Sequence, residues 1–107
     1  MTTFDDRKDA FERKYALDEE LLFKANARRN KLLGLWAAEK LGLYGAEAET
    51  YAKTVVMADF TEVGEEDVFR KVRDDFNVKS IAITDQQIRS AMGELLAKAV
   101  EQIKAGV

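Results

Sequence analysis

A chain of 107 residues, 47% hydrophobic and 35% charged, suffices for one domain with a single modest core. It has no His, no Cys and no Pro, which excludes the usual zinc sites, Cys-His and Ser-His-Asp machinery, the Glu-x-x-His di-iron bundle and any disulfide scaffold. A net charge of −3, from 17 basic and 20 acidic residues, argues against general nucleic-acid affinity. No run approaches the ~20 apolar residues of a transmembrane helix, and Met1–Asp6 lacks the basic start and apolar stretch of a signal peptide, so an intracellular soluble chain is expected.

Without Pro, and rich in Ala, Leu, Glu, Lys and Arg, the chain reads as helical throughout. Six acid-to-base pairs at i,i+4 (Asp9/Arg13, Glu20/Lys24, Glu49/Lys53, Glu66/Arg70, Asp67/Lys71 and Glu94/Lys98) run in the favourable direction. Thr3-Phe4-Asp5-Asp6 resembles a capping box, and the first helical stretch runs from there to Leu41, with Gly42 as the left-handed residue that ends it. A second helix is expected over Ala46–Phe60, with Tyr51, Ala52, Val55 and Val56 inward. Gly64-Glu65-Glu66-Asp67 places acids at the positive end of a third helix, which turns Val68, Phe69, Val72 and Phe76 inward and closes at Asn77. Val78–Ile83 is a short apolar patch with no second strand to pair with. Thr84-Asp85-Gln86-Gln87 is a capping box for the last helix, whose inner face is Ile88, Met92, Leu95, Ala99 and Ile103. The fold class expected is all-α, a small four-helix bundle over residues 19–107.

Residues 1–18 differ from the rest. At about 100° per residue, Phe4, Phe11, Tyr15 and Leu22 fall on one narrow line, which Lys8 and Asp18 interrupt, and most other positions are charged. A helix this polar is marginal alone, because nucleation is costly. The expectation is an arm that orders when a groove receives its apolar line. The same stripe could instead pack permanently on the other helices, in a protein-interaction adaptor.

Lys24-Ala25-Asn26-Ala27-Arg28-Arg29-Asn30-Lys31 holds four basic residues and no acid. Lys24, Arg28, Arg29 and Lys31 are candidate secondary contacts to an acidic protein surface; alternatively Arg28 and Arg29 serve a nucleotide-sensing module, or all four snorkel along a helix flank. Glu65, Glu66 and Asp67 lack the ligand pattern of a calcium loop and read as a helix start. No phosphate-binding glycine motif occurs. Trp36, beside Leu33, Ala37 and Leu41, reads as a core anchor. No nucleophile is set beside a base, so no enzyme, cofactor or metal is expected.

Thr2-Thr3-Phe4-Asp5-Asp6-Arg7, the long run Phe23–Leu43 containing Arg28-Arg29-Asn30-Lys31-Leu32-Leu33-Gly34-Leu35-Trp36, and Glu66-Asp67-Val68-Phe69-Arg70-Lys71 together resemble the ζ inhibitor subunit of the alphaproteobacterial F1Fo-ATP synthase. That resemblance implies a four-helix protein whose mobile amino-terminal arm becomes helical inside F1, wedged at a catalytic α/β interface close to γ, and blocks rotation in the hydrolysis direction. It assigns residues 1–18 as the inhibitory arm, with Thr3, Phe4, Asp5, Asp6, Arg7, Phe11, Lys14 and Tyr15 as partner-binding residues. The implied partners are the F1-ATPase α, β and γ subunits, with no nucleic acid, no membrane insertion and no obligate homo-oligomer. The implied location is the cytoplasm, peripheral to the inner membrane through the ATP synthase.

Overall fold

The computed structural model describes residues 19–58 and 65–106, and the expectations for residues 1–18 lie outside them. Among the described residues four helices occur and no strand: α1 Glu19–Lys40, α2 Ala46–Ala58, α3 Glu66–Val78 and α4 Asp85–Lys104. The longest, α1, packs most extensively on α2 and α4, and α3 packs less extensively against all three. The expected fold class is therefore correct.

The core gathers Leu33 and Ala37 of α1, Val55 of α2, Val68, Val72 and Phe76 of α3, and Ile88 and Met92 of α4, all fully buried. Each such aliphatic or aromatic side chain contributes on the order of 1.5–3 kcal/mol over leaving it in water. Trp36 is half-buried against this cluster, with its ring edge-on to Phe76 at 5.8 Å between centroids. One contact fixes how α1 crosses α2. A Cβ added to Gly34 would stand 2.6 Å from the Cα of Ala52, so the absence of a side chain is what lets the two backbones approach.

Chain reversals follow the caps. Gly42 has φ +81°, Leu43 N–H donates to Ala38 C=O and Gly42 N–H to Glu39 C=O, the paired bonds that satisfy the orphan carbonyls of α1. At α4, Gln87 N–H donates to Thr84 Oγ1 and Thr84 N–H to Gln87 Oε1, so the expected capping box is formed. The third helix departs from expectation. It runs through Asn77 to Val78, and the left-handed residue is Ser80 at φ +56°, with Ile81 N–H bonded to Phe76 C=O and Ser80 N–H to Asn77 C=O. The apolar patch beyond it is a connection whose Ile81 and Ile83 are half-buried against the core.

The acids at the start of α3 stand where the helix-start reading put them, with Glu66 and Asp67 in the first turn, but they also serve other helices. Glu65 is the cap residue but makes no side-chain cap hydrogen bond. Its carboxylate, like that of Glu66, reaches across to other helices. Of the i,i+4 pairs, Glu20–Lys24 is formed at 3.5 Å, while Lys71 pairs with Asp75 and Glu66 with Arg89. Pairs worth only about 0.2–0.5 kcal/mol are easily exchanged: Glu66 takes a partner on a neighbouring helix, and Lys71 takes one a turn further along its own.

Candidate partner-binding surface

Thr3, Phe4, Asp5, Asp6, Arg7, Phe11, Lys14 and Tyr15 lie outside the described residues. What is described is the helix they lead into. In projection at about 100° per residue, Phe4, Phe11 and Tyr15 share their line with Leu22 of α1, and seven and eleven residues later that line passes through Arg29 and Leu33. Leu22 is 42% exposed, whereas Arg29 is 3% exposed and Ala25 and Leu33 are fully buried. The face of α1 that belongs to the core is therefore covered from Ala25 onward and open at Leu22.

The basic run divides by the same geometry. Arg29 points inward: its Nε donates to Asn30 Oδ1 at 2.7 Å and its guanidinium pairs with Glu65 at 3.3 Å. A buried guanidinium needs such partners, since an unpaired buried charge is strongly destabilising. Burial withdraws Arg29 from the candidate contacts and from any surface nucleotide pair with Arg28. Its place on the seam, seven residues after Leu22, is the signal by which the sequence could have assigned it to the interior.

Lys24, Arg28 and Lys31 instead line a groove of about 770 Å³ on the outward side of α1. The Gly34–Ala52 approach puts α2 on one flank, and Arg28 donating to Gln102 at 3.5 Å puts α4 on the other. Phe23, Leu32, Leu35, Val56 and Ile103 make the lining largely apolar. Phe23 is 74% exposed at the open end.

Three polar clusters that the residue pattern did not announce hold the helices together. Arg89 lies 4.0 Å over the Phe69 ring and pairs with Glu66 at 3.0 Å, tying α4 to α3; the hydrogen bond to Glu66 raises its pKa above the already high ordinary value. Tyr51 donates to Asp75 Oδ2 at 2.7 Å, which also takes Lys71 at 2.9 Å, tying α2 to α3. Burial, then the hydrogen bond and negative charge of Asp75, pushes the Tyr51 phenol far above its usual range. Arg73 donates to Ile83 C=O at 2.7 Å and Asp85 at 2.9 Å, pinning the α3–α4 connection, while its buried Nε has no partner.

Among the described residues no group of three His, Cys, Asp or Glu is gathered for a metal, and no helix is long and apolar enough to cross a membrane. The chemistry on display is that of surfaces: an open apolar seam and a cationic groove on one helix.

A family model described as ATPase inhibitor subunit zeta matches residues 1–102. A protein solved by solution NMR is 48% identical and superposes with a TM-score of 0.71, the match covering 79% of this chain and 96% of that one. No curated protein matches the chain.

Proposed function

The chain belongs to the ATPase inhibitor subunit zeta family, and from that premise we propose that it stops ATP hydrolysis by F1 through residues 1–18, which enter a catalytic α/β interface near γ as a helix and block rotation. The observation that carries this reading is the seam of α1. Its line is core from Ala25 onward and open at Leu22, and Phe4, Phe11 and Tyr15 continue the same line toward the amino terminus. A helix growing from α1 would present those three rings to a partner.

No bond need be made or broken for this inhibition. An inserted helix arrests a rotary enzyme if it binds one conformational state better than the others, because only differential affinity shifts such an equilibrium. Burying Phe4, Phe11 and Tyr15 contributes about 5–9 kcal/mol in gross terms. Ordering the arm costs roughly 2–5 kcal/mol of that. The charged neighbours Asp5, Asp6, Arg7 and Lys14 set register and choice of site. The globular part, residues 19–107, then anchors outside the interface, which makes the protein a peripheral companion of the membrane-bound synthase.

The test compares the full chain with a version beginning at residue 19 and with the full-length triple variant Phe4→Ser, Phe11→Ser, Tyr15→Ser, each titrated against cognate F1 in an ATP-hydrolysis assay. Both altered chains are expected to lose inhibition while keeping the cooperative unfolding transition of the bundle, whose core cluster is drawn from residues 33–92. Undiminished inhibition by the shortened chain would refute the assignment of the arm.

A further inference from the structure

We infer that the outward groove of α1 is a second docking site, which takes an acidic amphipathic helix displayed by the same ATPase that the arm enters. The inference rests on the inhibitory reading above and adds to it a partner element of stated chemistry.

Position comes first. Lys24 and Lys31 follow Leu22 by two and nine residues, about 200° and 180° around the helix, so the groove lies on the side of α1 opposite the line that the arm continues. Occupying one face leaves the other accessible. From Phe23 to Leu35 the groove follows α1 for about 18 Å at 1.5 Å per residue, roughly three turns of a bound helix. Phe23, Leu35, Val56 and Ile103 offer apolar contacts along that length, and Phe23 is 74% exposed. Anchors at helical spacing in such a trough are the usual mode of helix-in-groove recognition.

Charge identifies the occupant. In a chain of net charge −3, the guanidinium groups of Arg29, Arg73 and Arg89 each have a carboxylate within 3.3 Å. The groove lysines do not. Lys24 meets only Glu20, at 3.5 Å with side chains 60% and 84% exposed, and Lys31 has no carboxylate within ion-pair distance among the described residues. Glu49 is the single acid among the described residues that line the groove. A partner helix with apolar residues and carboxylates on one face satisfies walls and floor together. The chain's own arm fits less well, since its apolar line would lie on Lys24 and Lys31, and a second copy would bring the same cations.

The test uses the full chain and cognate F1, following hydrolysis against inhibitor concentration at two ionic strengths, with sedimentation of each free chain as a companion measurement. The double variant Lys24→Glu, Lys31→Glu is expected to raise the half-inhibiting concentration at least tenfold and to flatten its salt dependence. Phe23→Ser is expected to weaken binding without flattening it, and Lys24→Arg, Lys31→Arg to behave as the original. These positions are exposed, and an unchanged thermal transition checks that the fold survives. An unaltered half-inhibiting concentration in the charge-reversed and Phe23→Ser chains overturns the groove while leaving the arm standing. Tighter inhibition by those variants overturns it in favour of a self-docked arm, and a change confined to sedimentation overturns it in favour of a second copy. Failure of the unaltered chain to inhibit removes both readings.

Discussion

Gly34 and Gly93 both sit inside helices, yet replacing each by Ala should have opposite effects. At Gly93 nothing stands within 4 Å of an added Cβ. The substitution then gains only helix propensity, about 0.8–1 kcal/mol relative to Gly. At Gly34 the same propensity gain meets a Cβ placed 2.6 Å from Ala52 Cα, 3.0 Å from its Cβ and 3.2 Å from its C=O oxygen. Carbon atoms rest about 3.5–4.0 Å apart, so relief requires roughly an ångström of displacement. Ala52 Cα belongs to a backbone and has no rotamer to change. The displacement must separate α1 from α2, loosening the packing around Leu33 and Val55. Overpacking of this kind costs typically 1–3 kcal/mol, and the rigid contact argues for the upper end. Subtracting the propensity gain leaves a net loss of about 2 kcal/mol, a fall in melting temperature on the order of 10 °C. Urea and thermal unfolding of the two single variants, followed by circular dichroism, provide the measurement. A Gly34→Ala chain as stable as the parent, or more so, would refute the close-crossing argument; a destabilised Gly93→Ala chain would undermine the propensity part.

Ser80→Gly should stabilise the bundle by roughly 0.5–1 kcal/mol, read as a higher urea midpoint, because Ser80 holds φ +56° where an L side chain is strained; an unchanged or lower midpoint would contradict this. Tyr51 supplies a pH signature. Its native pKa lies above the ordinary value of 10, so its contribution to stability is complete below about pH 10 and is lost as pH rises further, with a slope of up to about 1.4 kcal/mol per pH unit. Tyr51→Phe should remove that alkaline slope and lower stability near neutrality by about 1 kcal/mol through the lost bond to Asp75; parallel pH profiles for the two chains would count against it.

How far the fold could be read from the sequence depended on the range of the interaction. Thr84 and Gln87 are three residues apart, and their reciprocal bonds were legible because both partners lie in one turn. Gly42 ended α1 as expected for the same reason. Ile88, Met92 and Ala99 recur at helical spacing, so their burial followed from period alone. Ser80 gave no such signal, since its left-handed turn is imposed by the route from α3 to α4 and not by its residue type. Gly34 was equally silent: only the neighbouring helix shows that it marks a crossing. The pairings Tyr51–Asp75, Arg29–Glu65 and Arg89–Glu66 join residues 24, 36 and 23 positions apart. Nothing local distinguishes such carboxylates from those at solvated positions, so the helix start at Glu65 and Glu66 was legible but their cross-helix partners were not.

The four-cation run on α1 makes the same point about function. Read as composition, Lys24, Arg28, Arg29 and Lys31 form one patch. The helix separates them. Arg29 follows the line of Leu22 into the core, where Glu65 receives it, while Lys24, Arg28 and Lys31 turn toward the groove on the other side. On the proposed function, that division gives α1 two roles that do not compete. Its seam face organises the bundle and, continued past Leu22, aims the arm. Its opposite face remains cationic and apolar, with Glu49 the one acid among the described residues that line the groove. If both faces contact one partner, the second event is intramolecular, and the combined affinity can exceed either alone without any new contact, provided both sites can be spanned at once. On that reading, a protein with no His, no Cys and a modest core holds a large rotary enzyme by geometry: the arm supplies the block, and the groove raises its local concentration.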